Sequence, residues 1–206
     1  MCAATIAAGA LTSMAQSNVY SLNVVGYYNV PCPANQLVML ANQLNTTNNT
    51  IGNVIPAPPG GTFLYKYNGG YTTYQFDPDD LVWYPDANAT LNPGEGAFLK
   101  CAAATTITFV GEVLQGSLTN TLPINALAMR SSMVPQAGAV TSVLGAPGEG
   151  GDFLYKYAGG YTTYQFDPDD LVWYPTEPSI GVGEAFFYKK SATATQSKWI
   201  RNFTVQ

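Results

Sequence analysis

The chain contains no histidine. That absence removes every Ser-His-Asp or Cys-His nucleophilic machine and the commonest zinc ligand, leaving only carboxylate, tyrosine or lysine chemistry open to an enzyme. Charge is scarce as well. Asp, Glu, Lys and Arg make up 10% of the 206 residues, against roughly 25% in an ordinary soluble domain, and Asn, Thr, Gly and Tyr fill the surface instead. The eight Lys and Arg are scattered and the net charge is −5. Neither a phosphate-neutralising stripe nor a basic membrane-seeking cluster can be built from them, so nucleic acid is excluded as a partner. Beyond the N-terminus no stretch reaches the ~18 apolar residues that a bilayer span needs, so the chain is not expected to span a membrane.

What is present begins with "MCAATIAAGALTSMAQS", small and apolar over residues 2–12, with Ser13-Met14-Ala15 as a small-x-small cleavage pattern. Residues 1–15 read as a signal peptide cut after Ala15, although the usual basic opening is missing; a buried N-terminal helix or strand is the alternative. Cleavage removes Cys2 and leaves Cys32 and Cys101. In an exported protein these two can pair, contributing on the order of 4 kcal/mol by the chain-entropy argument. A disulfide and two buried thiols stand as equal readings. Redox or metal use is disfavoured by the long spacing and the lack of partner ligands.

The dominant signal is a repeat. "FLYKYNGGYTTYQFDPDDLVWYP" at 63–85 returns as "FLYKYAGGYTTYQFDPDDLVWYP" at 153–175, 90 residues later, with Asn68 against Ala158 as the one difference. The match extends outward. "PANQLVMLANQL" (33–44) resembles "PINALAMRSSMV" (123–134), and "PGEGAFLKC" (93–101) resembles "VGEAFFYKK" (182–190). Two units follow, 16–106 and 107–206, each of a size usual for a small domain. "ITFVGEVLQGSL" (107–118) closes one unit and opens the next, with Val110-Gly111 matching Val25-Gly26. At the chain ends those two jobs are split between "LNVVGYYNV" (22–30) and "WIRNFTVQ" (199–206).

This layout, with "FVGEVLQGSL", "SSMVPQAGAV" and "GVGEAFF" in order, resembles a family of secreted, internally duplicated β proteins of verrucomicrobia-like bacteria. The resemblance covers nearly the whole mature chain. It implies export, duplication and β structure, and no catalytic residues. "DPDD" departs from the family's more usual acidic-Gly turn, so no binding role is carried over to it.

Phe63–Tyr67 and Tyr71–Phe76 alternate over β-favouring residues around Gly69-Gly70, which reads as a hairpin. A two-residue turn would place Phe63, Tyr65 and Tyr67 on one face with Tyr74 and Phe76; a three-residue turn would swap the faces. Asp77-Pro78 suits a type I turn or a first helical turn, with Leu81, Trp83 and Tyr84 as apolar anchors after it. Gly, Pro and Asn clusters punctuate the rest every 8–12 residues, and no long segment of helical period appears. The expectation is an all-β chain of two tandem sandwich-like or barrel-like units, with short helical turns at 51–55 and 140–144.

Three candidate sites emerge. Tyr65, Tyr67, Tyr74, Trp83 and Tyr84, with Tyr155, Tyr157, Tyr164, Trp173 and Tyr174, could stack on sugar rings or could be core and subunit contact. The second is preferred, because units short of Leu and Ile need large rings for burial. Asp77, Asp79 and Asp80, with Asp167, Asp169 and Asp170, are calcium candidates, but Pro78 and Pro168 interrupt the ligand spacing and a solvated turn is the default. Glu95 and Glu184 lack a placed carboxylate partner and read as turn residues before strands.

The sequence thus points to a non-enzymatic structural protein, secreted or on the cell surface, without cofactor. It would add copies of itself head to tail by strand exchange into a filament or layer. The strand residues expected to carry assembly are Leu22, Val24, Val25 and Tyr27 at one end and Trp199, Ile200, Phe203 and Val205 at the other. The alternative is an adhesive module whose duplicated aromatic face holds polysaccharide. A carboxylate enzyme would need an acid-lined cleft between the units.

Overall fold

A computed structural model describes residues 24–205. Residues 1–15, expected to be a signal peptide, and Leu22 lie outside the described residues. The first half forms β1 (Val25–Cys32), β2 (Leu37–Ala41), the short helix α1 (Ile51–Val54), β3 (Phe63–Tyr67), β4 (Tyr71–Phe76), β5 (Trp83–Tyr84), β6 (Gly96–Lys100) and β7 (Thr105–Glu112). The second forms β8 (Gly116–Thr121), β9 (Leu127–Arg130), β10 (Gly138–Ala139), β11 (Phe153–Tyr157), β12 (Tyr161–Phe166), β13 (Trp173–Tyr174), β14 (Ser179–Ile180), β15 (Phe186–Lys189) and β16 (Lys198–Phe203). The chain is nearly all β. The helical turn expected at 51–55 is α1; at 140–144 the chain makes single helical-type turns, the amide of Val143 donating to Ala139 and that of Gly145 to Thr141, without forming a helix.

Each half is built around one five-stranded antiparallel sheet, ordered β2-β6-β3-β4-β5 in the first unit and β9-β15-β11-β12-β13 in the second. A two-stranded ribbon accompanies each sheet, β1 with β7 and β8 with β16. The joint therefore does supply two consecutive strands, one paired with each terminal strand. In the first unit Tyr28, Val30, Cys32, Ile107 and Phe109 of the ribbon enclose a core with Leu40, Leu64, Phe76, Trp83 and Leu99 of the sheet. In the second, Leu122 and Trp199 join Leu154, Phe166, Trp173, Phe186 and Tyr188.

The sheets' other faces meet one another in a third apolar cluster of Met39, Ala41, Phe98, Met129, Ala185 and Phe187. This explains a feature that alternation alone does not anticipate: Gly96–Leu99 of β6 are all buried. Ala97 and Leu99 face the unit's own core, and Phe98 faces the other unit. A strand covered on both sides is apolar throughout.

The contact between units is reciprocal. The amide of Ala41 donates to the carbonyl of Gly183 at 2.9 Å, and Ser131 donates to Gly94 at the same 2.9 Å. Leu40 bridges Glu184, and Arg130 bridges Glu95. Residue i meeting j while the copy of j meets the copy of i is the signature of an isologous contact, here made within one chain.

The repeated hairpin has Tyr67 opposite Tyr71 and Phe63 opposite Gln75, which leaves Asn68, Gly69 and Gly70 as a three-residue turn with Gly69 at φ +73°. The face assignment of the two-residue turn is corrected accordingly. Phe63, Tyr65 and Tyr67 share a face with Tyr71 and Thr73, while Leu64 lies beside Tyr74 and, with Phe76, enters the core.

Candidate functional site

The repeated aromatics do not form one surface. Trp83 and Trp173 are 2% and 5% exposed. Their indole N–H groups are spent inside, Trp83 on the carbonyl of Ile55 at 2.9 Å and Trp173 on the hydroxyl of Thr141 at 2.9 Å. They are core residues, and a sugar platform built on them is ruled out by burial. Tyr74 and Tyr164 pack half-buried against the two cores. Tyr84 and Tyr174 are exposed, and each hydroxyl donates to the nearby Asp80 or Asp170 at 2.9 and 2.8 Å.

Tyr65, Tyr67, Tyr155 and Tyr157 take a fourth position, between the units. With Tyr71 and Tyr161 they line two clefts. One, of about 620 Å³, is bounded by Leu37, Tyr65, Phe98 and Lys100 of the first unit and by Tyr157 and Tyr161 of the second. The other, of about 640 Å³, is bounded by the counterparts Leu127, Tyr155, Phe187 and Lys189 and by Tyr67 and Tyr71. The clefts are thus copies of one another, and Tyr71 and Tyr161 border both. Burial, the neighbouring Tyr161 and Tyr67 together push the Tyr71 hydroxyl up to about 12, so it stays a neutral hydrogen-bonding group.

The acidic turns are closed by their own backbone. Asp77 accepts the amides of Asp79 and Asp80 at 2.8 and 3.0 Å, and Asp167 accepts those of Asp169 and Asp170 at 2.8 and 2.9 Å. These bonds hold the Asp77 carboxyl below its usual range, the Asp80 amide being the larger cause. Among the described residues no three acidic or cysteine side chains converge as metal ligands do. Each turn ends on a leucine with positive φ, Leu81 at +56° and Leu171 at +55°, both exposed; the anchor role expected of Leu81 and Tyr84 is corrected, since both side chains are exposed, and of the three only Trp83 enters the core.

Glu95 and Glu184 pair with Lys66 at 3.3 Å and Lys156 at 3.0 Å. Each also accepts a backbone amide of its own turn, from Asn92 and Gly181. The adjoining glycines do the docking. A Cβ on Gly183, at φ +74°, would stand 2.7 Å from Val30, and one on Gly94, at φ +87°, would stand 2.5 Å from the Asn120 side chain. Each turn presses its backbone into the other unit's ribbon.

Cys32 and Cys101 are buried and joined as a disulfide, with Cα atoms 6.1 Å apart. The second unit carries something else at the matching place, and sequence reasoning passed over it. Lys190 stands where Cys101 does, and Asp152 stands where Thr62 does. Both are fully buried and in contact at 2.6 Å. The visible signal was a lysine in "FFYKK" at a position that is apolar in the other copy.

The expected assembly strands are already occupied on one edge. Val25 to Cys32 pair with Glu112 to Thr105, and Lys198 to Phe203 pair with Thr121 to Gly116. Among the described residues no other strand pairs with β1 or β16. Val25, Tyr27 and Ile200 are exposed, Tyr27 to 73%. Trp199 is corrected from assembly surface to core, with its indole on the carbonyl of Leu144 at 3.0 Å. Val24, Phe203 and Val205 pack half-buried on the first core. The first and last described residues lie at the joint, where Val24 accepts the amide of Val113 and Val205 donates to the Gln115 side chain.

Among the described residues no helix is long and apolar enough to cross a membrane. Comparison with protein-family models, with curated proteins and with solved structures gives no match to this chain.

Proposed function

We propose that the chain is a non-enzymatic, exported structural protein that assembles with copies of itself through its terminal strands. The observation that carries this reading is the position of β1 and β16: each ends a ribbon, is paired on one edge only among the described residues, and exposes apolar side chains, with Tyr27 opposite Val110 on the outer face. An unpaired strand edge flanked by apolar groups is a template for another strand. Sparse charge weakens the repulsion between copies that would oppose it. Because β1 and β16 both pair with strands of the joint, a β16 displaced from its own β8 can be replaced by that of a neighbour at little cost in contacts. Export and a cell-surface location belong to the same reading, as does membership of the secreted, duplicated β family that the sequence resembles. Negative-stain electron microscopy of residues 16–206 at micromolar concentration tests it. Ordered filaments or sheets are expected, lost on deleting 197–206; dispersed monomers, or assembly indifferent to that deletion, overturn it.

The paired tyrosine clefts favour a second reading, a polysaccharide-binding module. Two equivalent apolar clefts rimmed by tyrosine hydroxyls and a lysine are suited to stacking on successive sugar rings. Since the tryptophans are core, the test is Tyr71→Ala with Tyr161→Ala. Loss of retention on polysaccharide with the fold intact would support it.

A further inference from the structure

The ammonium of Lys190 is enclosed without solvent contact by two carboxylates, Asp152 Oδ2 at 2.6 Å and Glu149 Oε2 at 2.7 Å. Asp152 is itself fully buried, whereas Glu149 reaches the surface. The two buried residues are held side by side by the sheet. Phe153 of β11 pairs with Lys189 of β15, so 152 and 190 are the next positions on adjacent strands. Asp152 is also surrounded by donors. Its Oδ1 accepts the amide of Ser191 at 2.8 Å, and its Oδ2 accepts the amide of Glu149 at 2.9 Å and lies 3.0 Å from the Tyr188 hydroxyl, whose one proton is shared with the carbonyl of Pro147 at 2.7 Å. A buried ion pair of this kind is a poor stabiliser, because desolvation offsets most of its attraction. The arrangement is better suited to a reaction.

We propose that Lys190 and Asp152 are joined by an isopeptide bond, formed spontaneously within the folded chain, with Glu149 as the proton carrier. The ammonium of Lys190 passes one proton to Asp152, giving a neutral amine against a neutral carboxylic acid, the pair that a water-poor site disfavours least. The amine lone pair attacks Asp152 Cγ. The oxyanion develops on Oδ1, where the Ser191 amide already points. The nitrogen yields its second proton to Glu149, which returns it to the hydroxyl departing from Oδ2, where the Glu149 amide and the Tyr188 hydroxyl are in place. The Nζ–Cγ bond forms, the Cγ–Oδ2 bond breaks, one water leaves, and Glu149 is regenerated. No oxidant or outside reactant enters. Holding the two groups at hydrogen-bond distance supplies the proximity that two free side chains lack.

The duplication supports the assignment. In the first unit the position of Lys190 belongs to Cys101, which is covalently tied to Cys32. The second unit has no cysteine. Each copy would then be cross-linked from the residue that follows the matching strand, β6 in one and β15 in the other, one through sulfur and one through an amide that no thiol can reverse.

Mass spectrometry of the full chain, denatured and reduced, decides the matter. The expected result is a protein lighter by one water than its sequence. Trypsin should release a branched peptide joining residues 131–156 to 190–198, because acylated Lys190 is no longer cut. Glu149→Gln should abolish the branched peptide and restore the full linear mass, as should Asp152→Ala. A wild-type chain of full linear mass that yields separate peptides overturns the proposal. A branched peptide persisting undiminished in Glu149→Gln overturns the role given to Glu149.

Discussion

Tyr67 of the first unit stands edge-on to Phe187 of the second, with ring centroids 5.1 Å apart and planes at 85°. Its copy Tyr157 meets Phe98 at 5.1 Å and 84°. The two nearly identical hairpins therefore face each other's sheets rather than a common outside partner. In a reciprocal contact of this kind any change in one copy is felt by the surface that the other copy must also fit. That is a physical reason for the aromatic stretch to stay matched while the surrounding sequence drifts, and it leads to the first prediction.

Phe98→Ala and Phe187→Ala, each removing a nearly fully buried ring between the units, should destabilise by about 3–5 kcal/mol apiece. The double variant should uncouple the halves. Urea unfolding followed by tryptophan fluorescence, expected to be a single transition in the wild type, should split into two in the double variant. A single unshifted transition would refute the shared core.

Trp83→Ala should cost about 3–5 kcal/mol by leaving a cavity, and Trp83→Phe less, chiefly the lost bond to Ile55. Tyr84→Ala, on the exposed side of the same strand, should stay within about 1 kcal/mol. Thermal melts of the three variants check whether the repeated aromatics divide between core and surface as described.

Gly183→Ala forces a side chain into positive φ and against Val30. A loss of about 1 kcal/mol for the backbone alone is expected, with more from the clash. Gly69→Ala, also at positive φ but with nothing near its Cβ, should show only the backbone part. Denaturant midpoints of the pair separate the two effects.

The Glu149 carboxyl titrates at about 2: burial pushes it up, but donors from Lys190, Thr195 and Gln196 outweigh that and hold it down. A depressed carboxyl contributes stability that is complete above its ordinary value of 4.5 and lost as pH falls toward 2. In the Asp152→Ala background, where no isopeptide bond can form and Lys190 keeps its charge, the melting temperature should fall over that window more steeply with Glu149 present than with Glu149→Gln added. Parallel curves for the two would remove Glu149 from the acid response.

Replacing Cys32 and Cys101 by alanine should cost about 4 kcal/mol, the loop between them being 69 residues long. The loss should be read in the first transition of the uncoupled Phe98/Phe187 background, leaving the second unit's transition unmoved.

Much of the architecture was legible from residues alone. Alternation in "FLYKY" and "YTTYQF", the punctuation by Gly and Pro, and the recurrence after 90 residues are local or periodic signals, and they suffice for an all-β duplicated chain. The turn length at Gly69 was not legible, because two- and three-residue turns fit the same letters. The fate of Trp83 was not either, since aromatic composition does not say whether a sheet face is covered. Lys190 and Asp152 were missed for a different reason. They are 38 residues apart and become neighbours only through the register of β11 on β15.

By itself, the sequence determined that the chain is all β with a hairpin repeated after 90 residues, that it is two copies of one unit, and that histidine chemistry has no place in it. These follow from composition and short-range pattern, where each residue's preference is expressed within a few neighbours. Only the tertiary structure decided that the two sheets share a core, that the tryptophans are buried, that the first and last strands both pair at the joint, and that a lysine lies against an aspartate out of water. Those facts depend on which faces pack together and in what register. Burial free energy sets that choice over the whole chain at once, and no local pattern encodes it.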